Sequence, residues 1–195
     1  SSVICEVMNE DGRMARLDDL LRFAEKHNLK IASIEDLISY KLKNEKFIYN
    51  ILNKAVKFKK IGLLSVGVFR NRLDGLDHYV LSRGKFNPRK STRVRVISIN
   101  TLTNIEKIKD KLYLKSINYL SKYNNFALII IKNQIFKDKK DGTVKSTNTL
   151  RYYGIGAQII KDLKIKNMIL VSRSRKKIIG LDGYGIKITK QEIIK

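Results

Sequence analysis

Residues 149–185 read TLRYYGIGAQIIKDLKIKNMILVSRSRKKIIGLDGYG. From Tyr152 onward the apolar positions Ile155, Ile159, Ile160 and Leu163 recur at helical spacing, so one face of a helix is apolar. Met168, Ile169, Leu170 and Val171 then form a continuous apolar run short enough to be a buried strand, and Gly180, Gly183 and Gly185 punctuate the residues after it. Helix, strand and glycine-rich turn make one α/β unit. The strand ends at Ser172 and enters a basic turn, residues 173–177, that can present a hydroxyl, backbone amides and cationic side chains to a phosphate. The same pattern suits an ordinary helix–strand packing unit, and local chemistry leaves both readings open.

The stretch resembles the C-terminal part of GTP cyclohydrolase II, whose members carry a similar DYGIGAQI helix, an LLTNNPRK-like strand and turn, and a GLEGYG-like ending. The resemblance implies an α/β (α+β) fold: a cyclohydrolase II-like domain of mixed sheet and helices. It also implies roles. The family's nucleophilic arginine just before the helix is matched by Arg151. The strand-end threonine that touches GTP is matched by Ser172, and the turn lysine by Lys177. The family's proton-accepting Asp is replaced by Thr149.

Composition bounds the alternatives. The 195 residues carry a net charge of +23, and 43% hydrophobic residues suffice for a core. Residues 1–39 hold −3 and residues 40–195 hold +26, so the balance changes at a boundary. Such a basic segment fits nucleic-acid binding. The lysines are nevertheless scattered among Ile and Asn, without aromatic interleaving or a nucleic-acid motif, which points to a compositional bias and away from a nucleic-acid partner. No apolar run reaches membrane-spanning length and there is no signal peptide, so a cytoplasmic protein with no membrane partner is expected. The single cysteine, Cys5, excludes an internal disulfide and fits a reducing compartment. The chain lacks an initiator Met and starts on a strand-like run, so a fragment of a longer protein is expected.

The first forty residues suggest strand, helix, strand, helix. Residues 3–8 read as a buried strand, residues 9–12 as a turn closed by Gly12, and Leu17, Leu20, Leu21, Phe23 and Ala24 as an amphipathic helix ending near His27. Residues 30–32 suggest a short strand. Ser33 is placed to cap a helix over residues 34–43, with Asp36 in a capping-box position. So small a piece needs help to fold. It is similar, almost residue for residue, to the C-terminal end of 3,4-dihydroxy-2-butanone 4-phosphate synthase, in the arrangement where that enzyme is fused ahead of a cyclohydrolase II domain. The resemblance implies that Glu6 is the strand glutamate used in turning ribulose 5-phosphate into the four-carbon phosphate and formate. Mg²⁺ is the implied cofactor, with its ligands upstream of this chain. A carboxylate beside a metal suits proton shuttling on a polyol phosphate; on its chemistry alone Glu6 would read as a salt-bridging residue at a strand edge.

Between the two ends, residues 44–60 have helical apolar spacing through Phe47, Ile48, Ile51, Leu52 and Val56, and are expected to form a linker helix. The expected domains are thus a synthase remnant over 1–40, a linker helix over 41–57 and a cyclohydrolase II-like domain over 58–195. Within the last, residues 60–70 and 76–82 suggest a hairpin around Leu73-Asp74-Gly75, and residues 93–99 a further strand. Residues 104–123 suggest an amphipathic helix, 126–131 a buried strand, and 132–148 a mobile polar loop.

The family follows its RVHSE strand with three cysteines that hold a catalytic Zn²⁺. Here the corresponding run is RVISINTLTNIEKIKDKLYLK. Arg95 and Ser98 are kept, and Arg95 is expected to bind ligand; Ile97 and Ile99 replace the His and Glu. Asn100, Lys111 and Tyr113 stand at the cysteine positions, so Zn²⁺ is not expected. The EGRGIGL loop that grips the nucleotide is also missing.

The expectation is therefore an intact protein that acts in riboflavin biosynthesis as the synthase, a lyase, with an inactive cyclohydrolase II-like domain. The alternatives are a pseudoenzyme domain that scaffolds a homodimer or binds a phosphorylated ligand through Arg151, Ser172 and Lys177, and GTP hydrolysis by an unusual metal-free route. Expected partners are phosphorylated small molecules, ribulose 5-phosphate and GTP among them, and a second copy of the chain.

Overall fold

A computed structural model describes residues 5–33, 36–37, 40–41, 44–99, 110–132, 147–175, 181 and 184–194, with the side chains of 147–153 outside that description. The chain divides into two compact units, residues 1–38 and 39–195.

In the first unit the acidic first turn of α1 (Leu17–Lys26) carries Asp18 and Asp19, which complement the helix dipole. The Asp19 carboxylate accepts from the Arg16 backbone N–H and from Asn9 and Arg22, which hold its pKa down at about 2. The expected strand over 3–8 is not formed in its described part: residues 5–7 have no ladder, and Met8 makes only an isolated bridge to Met14. A strand needs a partner for its backbone groups, and the unit's described residues supply just that one. Residues 30–32 are likewise irregular. The cap at Ser33 does form, its Oγ accepting from Asp36 N at 3.0 Å and donating to the Asp36 carboxylate at 2.6 Å.

The second unit is a seven-stranded mixed sheet in the order β1-β2-β3-β5-β4-β6-β7, formed by β1 (Ile48–Phe58), β2 (Gly62–Asn71), β3 (Asp77–Arg83), β4 (Thr92–Ile99), β5 (Phe126–Lys132), β6 (Asn167–Ser172) and β7 (Lys187–Ile193). The β1-β2-β3-β5 part is antiparallel, and β4 is parallel to both β5 and β6, as is β6 to β7. Helix α2 (Lys111–Leu120) covers one face through Tyr113, Ile117 and Leu120. Helix α3 (Thr147–Asp162) covers the other through Ile155, Ala157, Ile159 and Ile160. β5 is buried on both faces, which is why its sequence FALIIIK shows no alternation.

The expected linker helix is instead β1. A bulge at Ile51 shifts the β1–β2 register between Asn50 and Leu52, so Ile48 packs on the α3 face while Val56 and Phe58 pack on the α2 face. The inserted residue turns strand alternation into a spacing that imitates a helix. Ten paired positions with β2 then outweigh the weak helical preference of this Ile, Tyr and Val-containing run. The hairpin β2–β3, β4 and β5 match the sequence expectation within a residue or two, and β7 is a strand that the sequence reading did not anticipate. The expected helix over 104–123 is seen as α2 from residue 111. The polar loop expected over 132–148 lies almost wholly outside the described residues.

Candidate functional site

The site begins at a split in the sheet. β4 and β6 pair only from Thr92↔Met168 to Val94↔Leu170. Beyond that point β4 stays with β5 as far as Ile99↔Lys132, while β6 stays with β7 as far as Ser172↔Ile193. The two strands therefore part toward their carboxyl ends, the place where α/β sheets hold ligands. A cavity of about 470 Å³ occupies the gap, reached by Arg95, Ser98, Ser172, Arg173 and Ser174, with Gly156 of α3 above it.

Arg95 closes the α2 side of the split. It is 3% exposed, its Nε donates to Ser116 Oγ at 2.7 Å, and one terminal nitrogen donates to the Val171 carbonyl at 3.0 Å. The Ser116 hydroxyl in turn donates to the Leu112 carbonyl at 2.6 Å, one helical turn back. The guanidinium thus bridges α2 to β6 where β4 no longer can. Burial lowers its pKa, and the nearby Arg173 charge lowers it further, yet an arginine stays protonated. A buried cation backed by a second one makes the mouth of the split attractive to an anion. Ser172 is buried, and its Oγ donates to the Ser174 carbonyl at 2.7 Å, tightening the turn after β6.

The structure therefore brings Arg95 and Ser172 to one cavity. Arg151 lies on α3, with its side chain outside the described residues, as is Lys177. Glu6 is in the first unit, exposed and in irregular chain. Two residues of this architecture carried no sequence signal. Ser116 is an unremarkable helix serine until the fold places it under Arg95. Gln158, within the YGIGAQ motif, is a clamp: its Oε1 accepts from the Phe47 and Ile48 N–H groups at 3.0 and 3.2 Å, and its Nε2 donates to the Glu45 carbonyl at 2.8 Å. Lys46 adds an ion pair to Asp162 at 2.7 Å. The end of α3 thus holds the segment that leads into β1.

Of the three residues that the resemblance sets at the zinc-cysteine positions, Lys111 and Tyr113 are described and neither offers a thiolate or imidazole donor. Lys111 is exposed at the start of α2. Tyr113 faces the core at 5% exposure, and burial pushes its phenol up to about 12, so it stays neutral. Among the described residues no three His, Cys, Asp or Glu side chains are grouped to hold a metal, and no helix is long and apolar enough to cross a membrane.

Residues 1–40 match the family described as 3,4-dihydroxy-2-butanone 4-phosphate synthase, and residues 112–192 match the family described as GTP cyclohydrolase II. The chain is 30% identical to the riboflavin biosynthesis protein RibBA of Aquifex aeolicus, over 100% of this chain and 54% of that protein. It is 32% identical to the 3,4-dihydroxy-2-butanone 4-phosphate synthase of Sulfurospirillum multivorans, over 97% and 50% respectively. The crystal structure of RibBX, a two-domain 3,4-dihydroxy-2-butanone 4-phosphate synthase from A. baumannii, superposes with a TM-score of 0.71 at 28% identity, covering 98% of this chain and 53% of that one. The chain is thus related, from end to end, to the C-terminal part of fused synthase and cyclohydrolase II-like proteins, and it spans about half the length of the relatives it matches.

Proposed function

We propose that this chain is the C-terminal part of a riboflavin-biosynthesis protein whose intact form converts ribulose 5-phosphate to dihydroxybutanone phosphate and formate, and whose second unit is a cyclohydrolase II-like domain without GTP hydrolysis. The observation that carries this reading is the order of the two family matches, synthase first and cyclohydrolase second, on a chain with no cysteine after residue 5. In the first unit Leu17, Leu21, Phe23, Leu29, Ile31 and Leu37 are all between 40% and 67% exposed. Apolar exposure of that extent favours burial, and the remainder of a synthase domain is the cover we assign to it. Domain limits of 1–40 and 41–195 result, with residues 48–58 assigned to the sheet. Glu6 is the assigned catalytic carboxylate, brought to its working position when that domain is complete. Mg²⁺, held by upstream residues, would supply polarisation of the sugar phosphate's oxygens.

In the second unit the zinc water and the Asp base are both missing from the residues at hand, since Asn100, Lys111, Tyr113 and Thr149 hold those positions. What persists is the cationic end of the β4–β6 split. We assign it to binding a phosphorylated ligand through Arg95, Ser172 and Lys177, with Arg151 at the former nucleophile position and no covalent role. A soluble cytoplasmic homodimer completes the proposal.

Incubating the full-length protein with GTP and added Zn²⁺ tests the loss of activity. No formate or pyrophosphate above background is expected, and release of either would defeat it. Ribulose 5-phosphate turnover by the full-length protein is expected to be lost on Glu6→Ala; unchanged turnover would remove Glu6 from the reaction.

A further inference from the structure

The turn after β6 brings a second cation to Arg95. Arg173 follows Ser172, the last residue of β6 to be paired, and lines the same cavity as Arg95. The two guanidinium groups are near enough to interact, since the Arg173 charge adds to burial in lowering the Arg95 pKa. Like charges held close disfavour each other. Arg70 and Arg93, also on the sheet, each fork onto a carboxylate, Asp77 and Glu192 respectively. The cavity is different: among the described residues that line it there is no Asp or Glu. The LLTNNPRK-like pattern carries Asn after its strand-end Thr, so the second cation is a departure of this chain from that pattern.

The two arginines are held differently. Arg95 is buried and fixed by its bonds to Ser116 and the Val171 carbonyl, which leave further N–H donors on a guanidinium that carries five. Arg173 is exposed, and its long side chain can adjust to an anion already seated on Arg95. An anion with two negative charges offsets both cations and relieves their repulsion; a single charge offsets one. Away from bulk water that difference is weakly screened. A phosphate monoester also has three free oxygens to accept from two guanidinium forks, where a diester has two. We infer that Arg173 is a ligand-binding residue, and that Arg95 and Arg173 together select a doubly charged phosphate monoester over a singly charged phosphodiester. The inference rests on the phosphate-binding reading above and adds to it a residue and the charge of the ligand's anionic group.

The probes are phenyl phosphate and methyl phenyl phosphate, which share an aryl body and differ by one negative charge at pH 8, above a monoester's second pKa of about 6. Each is titrated into the full-length protein by calorimetry. Phenyl phosphate is expected to bind at least about tenfold more tightly, the scale of one charge-assisted hydrogen bond. Arg173→Gln, at an exposed position, is expected to weaken phenyl phosphate at least about tenfold and methyl phenyl phosphate by less than about threefold, so that the selectivity collapses. Arg175→Gln makes the same charge change two residues on, at an exposed residue that does not line the cavity, and is expected to leave both affinities within about threefold. The inference alone falls if phenyl phosphate binds no more tightly than its methyl ester. It also falls if Arg173→Gln melts with the parent and binds phenyl phosphate equally well, or if Arg175→Gln weakens it as much as Arg173→Gln does. If neither probe binds, the phosphate-binding reading fails and takes the inference with it.

Discussion

Replacing Gln158 by alanine removes the clamp that holds residues 45–48 against α3. Three hydrogen bonds are lost, to Phe47 N, Ile48 N and the Glu45 carbonyl. Each contributes about 0.5–1.5 kcal/mol net, and a donor left buried without a partner costs about 1–3 kcal/mol. The penalties do not add, because Phe47 and Glu45 are near solvent and water replaces part of what is lost. Ile48 is 1% exposed, so its N–H has no such recourse. The expected destabilisation is about 2–4 kcal/mol, read as the shift in urea midpoint at constant slope. Gln158→Glu sharpens the test: the acceptor for the two N–H groups is kept, but the donor to Glu45 becomes a carboxylate oxygen facing a carbonyl. It is expected to cost at least as much at neutral pH as alanine does, and less near pH 4, where the acid protonates and donates. A Gln158→Ala protein within about 0.5 kcal/mol of the parent would refute the assignment of Gln158 as an anchor, since that is the ordinary range for an uninvolved surface position.

Arg93 and Glu192 give a pH-dependent prediction. Arg93 pairs with both Glu192 carboxylate oxygens at 2.9 and 3.0 Å and lies 3.6 Å over the Tyr123 ring, while Tyr119 donates to the same carboxylate at 3.0 Å. Burial raises the Glu192 pKa, but the hydrogen bonds from Arg93 and Tyr119 outweigh it and the net shift is downward. A depressed carboxylate contributes stability that is complete above its unfolded value of about 4.3 and is lost as pH falls through the lower folded value. Glu192→Gln is therefore expected to flatten the fall in stability below about pH 4, and an unchanged slope in urea titrations would contradict the pairing. Gly84→Ala is expected to cost more than about 2 kcal/mol, because φ is +86° and the new Cβ would press into the Asn124 carbonyl oxygen. Arg95→Met should lower affinity for any phosphate ligand at least tenfold. Because it takes the Arg95 donors from the Ser116 Oγ and the Val171 carbonyl, loss of binding in a protein that still melts with the parent would tie the cation to the ligand, and retained binding would exclude it.

The ancestry and the lack of any cysteine after residue 5 were legible in the residues alone. A continuous motif such as YGIGAQII is readable because its helix packs by a regular period, and a missing thiolate is visible without coordinates. The doubly buried β5 and the hairpin β2–β3 were readable for the same reason, since local pattern and local structure agree. Pairing between distant segments is another matter, and there the fold had the last word. Residues 48–58 became a strand because β2 lies alongside and a bulge hides the alternation. Residues 5–7 lack their strand because, within the first unit, ladder hydrogen bonds need a partner that sequence pattern cannot count. The roles of Ser116 and Gln158 arise from contacts 21 and 110–113 residues away along the chain. The opening of 149–185 into a cleft was likewise settled by the fold: β6 leaves β4 after Leu170, and only that divergence gives Ser172 and Arg95 a common space.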